Sequence, residues 1–208
     1  MDIVISLFFL IVLFFSVVIH EIAHGSMALY LGDTTAKDAG RLTLNPIPHL
    51  DPVGSVLLPL LMFVATAGNG PIIGWAKPVP VNPYNFRDKK YGELKVSFAG
   101  PATNLLIGAV FALMIRFLPL PGVMRMFFGI ISIYNFALAL FNLTPIPPLD
   151  GYHILFTFLS PGSAIREFLS KYSLFILLTF ILVNGFGLIF WGAEWLFGLL
   201  SGLSGLAV

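Results

Sequence analysis

The chain has 208 residues, 58% of them hydrophobic and 10% charged, with a mean hydropathy of +0.95 and a formal net charge of +1. Such a composition describes a polytopic membrane protein rather than a soluble core, and its near-neutral charge offers nothing to nucleic acid. There is no cysteine, so disulfides and thiolate metal sites are excluded, and a metal would have to be held by His, Asp, Glu or Asn.

The first predicted helix runs from Ile3 to Leu31, long enough to cross a bilayer with some tilt. It has no basic leader, and its apolar run continues through His20-Glu21-Ile22-Ala23-His24, so it reads as a retained span rather than a cleaved signal. On a helix, positions i and i+4 share a face, so His20 and His24 can point at one ion. Glu21 projects beside them, where a carboxylate can take a proton from an attacking water. Zinc favours such nitrogen donors, and a catalytic zinc keeps three protein ligands and one open position. Ionisable groups at hydrocarbon depth are costly, which favours a functional reading over a satisfied core histidine.

Gly32-Asp33 ends this helix, and the chain to Asp51 is polar and rich in turns. Alternation of Arg41, Leu42, Thr43 and Leu44 predicts a short strand. Val53–Thr66 is apolar, short and interrupted by Gly54 and Pro59, which predicts a re-entrant segment. Residues 72–81 read as extended chain broken by prolines, and 82–90 as a basic loop. Helices follow from Gly92 to about Arg116 and from Val123 to Asn142. Leu143–Leu149 cannot be regular helix, because its three prolines remove donors. A short helix is expected over Asp150–Leu159 and a last span over about 174–200. The whole forms one membrane domain, residues 1–208, all-α apart from the re-entrant or short β segment.

A third ligand is needed, and the candidates are Asp150, His153, Asp51, His49 and Glu194. Asp150 is preferred, since it follows a proline-broken segment of the kind tolerated at depth only where it lines a cavity or packs on protein. Its ordinary alternative is a helix cap. His153, one turn on, is the weaker choice, and His49 is expected in solvent. If Val53–Thr66 does not cross, Asp150 returns to the face where the first helix ends, near His24. That topology puts Lys37, Arg41, Lys77, Arg87, Lys89, Lys90, Lys95, Arg166 and Lys171 on one face, leaving Arg116 and Arg125 on the other. The positive-inside rule makes the richer face cytoplasmic. The expected site lies in the cell (inner) membrane towards the cytoplasm.

Three motifs in order now stand together: His20-Glu21-Ile22-Ala23-His24, Gly100-Pro101-Ala102-Thr103-Asn104, and Asn142-Leu143-Thr144-Pro145-Ile146-Pro147-Pro148-Leu149-Asp150-Gly151. They resemble the site-2 proteases, intramembrane zinc metalloproteases of the M50 class, over a catalytic core of about residues 3–159. The resemblance implies a three-helix core with one zinc held by His20, His24 and Asp150. It implies Glu21 as general base and a transmembrane protein or peptide as substrate, in regulated proteolysis or clearance of remnant signal peptides. It gives Asn142, and by position Asn104, a polar role toward substrate or oxyanion, against helix–helix hydrogen bonding as the plain alternative. No PDZ or CBS stretch is recognisable, as in the compact prokaryotic subgroup. The segment Gly40–Pro83 is expected to receive an unwound substrate strand by edge pairing, or to be a surface connector. The competing functions are a metal-binding transporter or channel and a scaffold with structural zinc. The first is disfavoured by the scarcity of other intramembrane charges, with Glu194 the main extra one, and the second by the count of three ligands rather than four.

Overall fold

The computed structural model describes residues 3–65 and 76–203. Helix α1 (Ile3–Tyr30), a single turn α2 (Thr35–Asp38) and the short α3 (Leu58–Ala65) precede two long helices, α4 (Gly92–Phe117) and α5 (Gly122–Leu143). Then come α6 (Asp150–Phe158), α7 (Ala164–Lys171), α8 (Ser173–Leu182) and α9 (Gly185–Ser201). Helices α1, α4 and α5 are each long and apolar enough to cross a membrane. The expected first helix, the two long helices and α6 fall where the hydrophobic runs put them, and the protein is a multi-pass membrane protein.

The three long helices alternate in direction. His24 meets Val96 and His20 meets Asn104, so α1 and α4 run antiparallel. Asn104 meets Asn135 and Ser132 meets Gly108, so α4 and α5 do too. The end of α1, the start of α4 and the end of α5 therefore share one face. Whatever lies between Tyr30 and Gly92 enters and leaves on that face. The apolar stretch there, a π-helical turn over Pro52–Leu57 running into α3, is too short to cross. The turn and linker expected at Ala67–Trp75 lie outside the described residues.

Small residues let the helices close up. A Cβ on Gly108 would come within 2.7 Å of the Phe136 ring, so α4 and α5 meet nearly backbone to backbone. Ala112, Ile115, Ile133, Phe136, Ala137, Ala193 and Phe197 form the buried apolar core between α4, α5 and α9.

Two expectations need correction. The last span is not one helix over 174–200: α8 and α9 meet at 69°, with Asn184 in the left-handed region at φ 63°. Asn tolerates that conformation better than most residues. Helix α9 alone runs back along α5, with Phe186 stacked on Phe141 and Phe190 against Tyr134. Nor does a strand form at 41–44; among the described residues there is none. Local side-chain bonds take the ladder's place. The Thr43 hydroxyl accepts from Asn45 N–H, the Asn45 side chain accepts from Ile47 N–H, and the Thr43 carbonyl is bonded to the His49 ring.

Candidate metal centre

Helix α1 carries His20 and His24 one turn apart on its buried side, each less than one-tenth exposed. Their Nε2 atoms lie 2.9 Å from each other. Asp150 Oδ2 lies 3.1 Å from His20 Nε2 and 3.4 Å from His24 Nε2. These are the edges of a triangle that an ion about 2 Å from each donor would fill, since tetrahedral ligands at zinc distances stand about 3.3 Å apart.

The opposite ring nitrogens say what the facing ones carry. His24 Nδ1 sits 2.6 Å from the Val96 carbonyl, which can only accept, so Nδ1 bears the proton. His20 Nδ1 sits 2.6 Å from Asn104 Oδ1 and is the donor there too. Two Nε2 lone pairs and a carboxylate oxygen then converge on one point, an arrangement that a cation resolves. The donor set fits zinc.

The surrounding sequence makes room for this. A Cβ on Gly100 would lie 2.5 Å from His24 Nε2 and 2.7 Å from His20 Nε2, so only glycine lets α4 pass this close to the two donor nitrogens. Asp150 opens α6 after the turn over 144–149. A Cβ on Gly151 would lie 2.2 Å from the Leu143 carbonyl, so α6 can start this close to the end of α5 only through glycine. Asp150 is not the cap of its helix; the capping position is Leu149.

A cavity of about 390 Å³ opens over the three donors, and Glu21, Val79, Asn142 and His153 also line it. The Glu21 Oε2 accepts the Val79 N–H at 2.7 Å. Val79 lies in Pro78-Val79-Pro80, where the flanking prolines have no N–H to give. This strap is tied at both ends. Lys77 N–H donates to the His49 carbonyl at 2.9 Å, and Arg41 donates to the Lys77 carbonyl at 2.6 Å. Asn82 N–H donates to Asp33 at 2.7 Å. Burial pushes the Asp33 carboxyl up, but donors from Asn82, Thr35 and Asn85 outweigh it and hold it below the usual carboxylate range. The strap's N–H groups at 77, 79 and 82 are therefore turned to the protein itself.

The other candidates fall elsewhere. Asp51 caps the turn at Pro52, accepting from Val53 and Gly54 N–H. His49 is wholly buried, not in solvent, and its ring bonds Thr43. Glu194 is an exposed residue of α9. His153 reaches the cavity but not the donor cluster. Asn142 lines the cavity, one of its amide hydrogens going to the Leu138 carbonyl at 3.0 Å. Asn104 does not face substrate: it is fully buried behind His20, since α4 turns it toward α1 and α5. Sequence reading missed Asn135 and Val79, and it named Gly100 only as part of a motif, without its contact to the histidines. An amide inside an apolar span and a lone N–H between prolines were the signals for the first two.

The model of peptidase family M50 matches residues 120–183, from α5 into the break after α8. YwhC, a candidate zinc metalloprotease of Bacillus subtilis (strain 168), is 38% identical over 164 residues, covering 74% of this chain and 70% of the relative. Rip2 of Mycobacterium tuberculosis (strain H37Rv), likewise a candidate zinc metalloprotease, is 32% identical over 193 residues, covering 91% and 72%. Rip2 of Mycolicibacterium smegmatis is 33% identical over 148 residues, covering 70% and 55%. No solved structure matches the chain significantly. Given a 38% identical relative covered over most of its length, with histidines, aspartate and glutamate converging on one cavity, the chain belongs to peptidase family M50, the site-2 protease family of zinc metalloproteases.

Proposed function

We propose that this zinc metalloprotease is an endopeptidase that cuts substrates within or beside their transmembrane segments, with one zinc per chain held by His20, His24 and Asp150. The observation that carries the reading is the three-donor cluster, with two donors on a helix of membrane-spanning length and the third at the start of α6, and with the Glu21 carboxylate in the same cavity. His20 lies ten residues, about 15 Å of helix rise, inside the end of α1. Zinc in such a site supplies Lewis-acid polarisation of a water and of the scissile carbonyl. Glu21 takes the proton of the attacking water at the oxygen not engaged by Val79, and returns it to the leaving amine. Asn142, with one amide hydrogen still to give, donates to the developing oxyanion.

The topology supports a cytoplasmic opening. The face shared by the end of α1, the start of α4 and the end of α5 carries nine of the eleven lysines and arginines by position in the chain. The substrate class is a transmembrane protein or peptide that unwinds locally, because a helical carbonyl is hydrogen-bonded and shielded. The chain is read as one domain in the cell (inner) membrane.

The test is cleavage of a model transmembrane peptide by the full chain in detergent, with zinc measured on the same samples. Wild type should cut, Glu21→Gln should keep zinc and not cut, and Asp150→Ala should lose zinc. Equal zinc in all three with no cleavage would remove Asp150 from the site and the reading with it.

A further inference from the structure

We infer that Asn135 on α5 is a positioning residue for the metal centre: through Asn104 it fixes the proton of His20 on Nδ1 and so keeps Nε2 free to bind zinc. The inference rests on the reading of His20 as a ligand, and it adds residues that touch neither metal nor substrate.

Asn135 Nδ2 donates to the Ile131 carbonyl at 2.8 Å and to Ser16 Oγ at 2.9 Å. A carbonyl can only accept, so the amide nitrogen of Asn135 must face that way and its oxygen must face Asn104. Asn104 Nδ2 in turn donates to Asn135 Oδ1 at 2.8 Å, with the Ser16 carbonyl at 3.3 Å. This leaves only Oδ1 of Asn104 for His20, at 2.6 Å. His20 must then carry its proton on Nδ1. One assignment satisfies every group, and it runs from backbone carbonyls of α5 and α1 to the lone pair at the metal.

Burial gives the chain of bonds its force. Asn104 is 0% exposed, Asn135 1% and Ser16 4%. With no water to replace a missing partner, an amide that loses one bond turns to find another. A turned Asn104 would present its NH2 to His20 and move the ring proton to Nε2, where it blocks the ligand position. Outer partners of this kind commonly change metal affinity by about 10- to 100-fold.

Helix α5 also carries its own control. Ser132, 0% exposed, donates to the Gly108 carbonyl at 2.7 Å and joins the same two helices, but it does not reach His20. A role in helix packing alone would make Ser132 and Asn135 alike.

The experiment uses the full chain in detergent, with zinc affinity from competition against a chromophoric chelator. The His20 tautomer is read by nitrogen NMR of histidine-labelled, metal-free protein. Asn135→Leu should weaken zinc about tenfold or more and give mixed tautomers at His20. Ser132→Ala should match wild type on both readouts. Asn135→Thr should recover most of the affinity, because its hydroxyl can donate to Ile131 and accept from Asn104. Wild-type zinc affinity in Asn135→Leu, or an equal loss in Ser132→Ala, overturns the inference while leaving the three-ligand reading intact. If wild type takes up no zinc, the ligand reading fails, and the tautomer measurement still decides the inference. Where Asn135→Leu does not fold, Asn135→Ala removes the same amide without adding bulk and is held to the same outcomes.

Discussion

Behind the two histidines the molecule is helix; in front of them it is loop. The rear wall joins α1, α4 and α5 and holds His20 through side-chain amides sealed from solvent. The front is the strap over 77–82, which holds Glu21 through the Val79 backbone N–H between two prolines. The contrast follows from the surroundings. In apolar helix the backbone spends its own hydrogen bonds, so only a side chain can reach across to a neighbour. In the strap the backbone N–H groups are free to be assigned, and the prolines remove the ones that have no partner. Side-chain deletion can therefore dismantle the rear, while the front yields only to a change that removes an N–H.

The largest effect expected on either side is at Glu21 itself. Glu21→Gln should lower the cleavage rate by about 10²- to 10⁴-fold while zinc binding is retained, as for loss of a general base. Equal loss of zinc would move Glu21 from the proton-transfer role into the ligand set. Next comes Gly100→Ala, which attacks the rear wall sterically. Its Cβ would lie 2.5 Å from His24 Nε2, so the rings or α4 must shift. Zinc affinity should fall by about tenfold or more, with the helical circular dichroism signal unchanged. Unaltered zinc binding would show that α4 can move away freely, and the wall would not be the rigid side.

How much of this was legible beforehand divides along the same line. The helices were, because long apolar runs admit few other structures in a membrane. His20, His24 and Asp150 were, because i, i+4 histidines and an aspartate after a proline-broken turn are each costly at depth unless used. The partners were not. Asn104 lies 84 residues from His20, and Val79 lies 58 from Glu21. Periodicity says which face of a helix is buried, but not which buried amide meets which ring. Thus the sequence leaves Asn104 open between facing substrate and bonding between helices, and the structure has it bonded to α5 with its carbonyl oxygen taken by His20. The strand at 41–44 failed for a related reason: alternation of four residues cannot show that Thr43 and Asn45 will satisfy the local backbone themselves.

The front wall is tested by Val79→Pro against Val79→Ala. Proline removes the Val79 N–H that reaches Glu21, whereas alanine keeps it and trims the side chain. The prediction is a fall in kcat of about tenfold for proline, the scale of one lost hydrogen bond to a charged group. KM and zinc content should change little, and alanine should stay near wild type. Equal activity of the two variants would mean that Glu21 is positioned without the strap.

The smallest effect belongs to the strap's anchor, Asp33, which is fully buried and accepts from Asn82, Asn85 and Thr35. Its carboxyl is held below its ordinary value, so folding favours the charged form. The contribution to stability is then complete above the unfolded-state pKa of about 3.9 and is lost as pH falls through the lower, folded value. At neutral pH Asp33→Asn should lower the thermal midpoint by a few degrees, in line with hydrogen bonds to a charged group worth about 1.5–3 kcal/mol. The gap between variant and wild type should begin to narrow below about pH 4 and close as pH falls through the lower, folded value, where the wild-type carboxyl protonates as well. A gap that stays constant from pH 7 to pH 3 would mean that the shape of Asp33, and not its charge, holds the strap. The front of the cavity would then be set by shape rather than by charge.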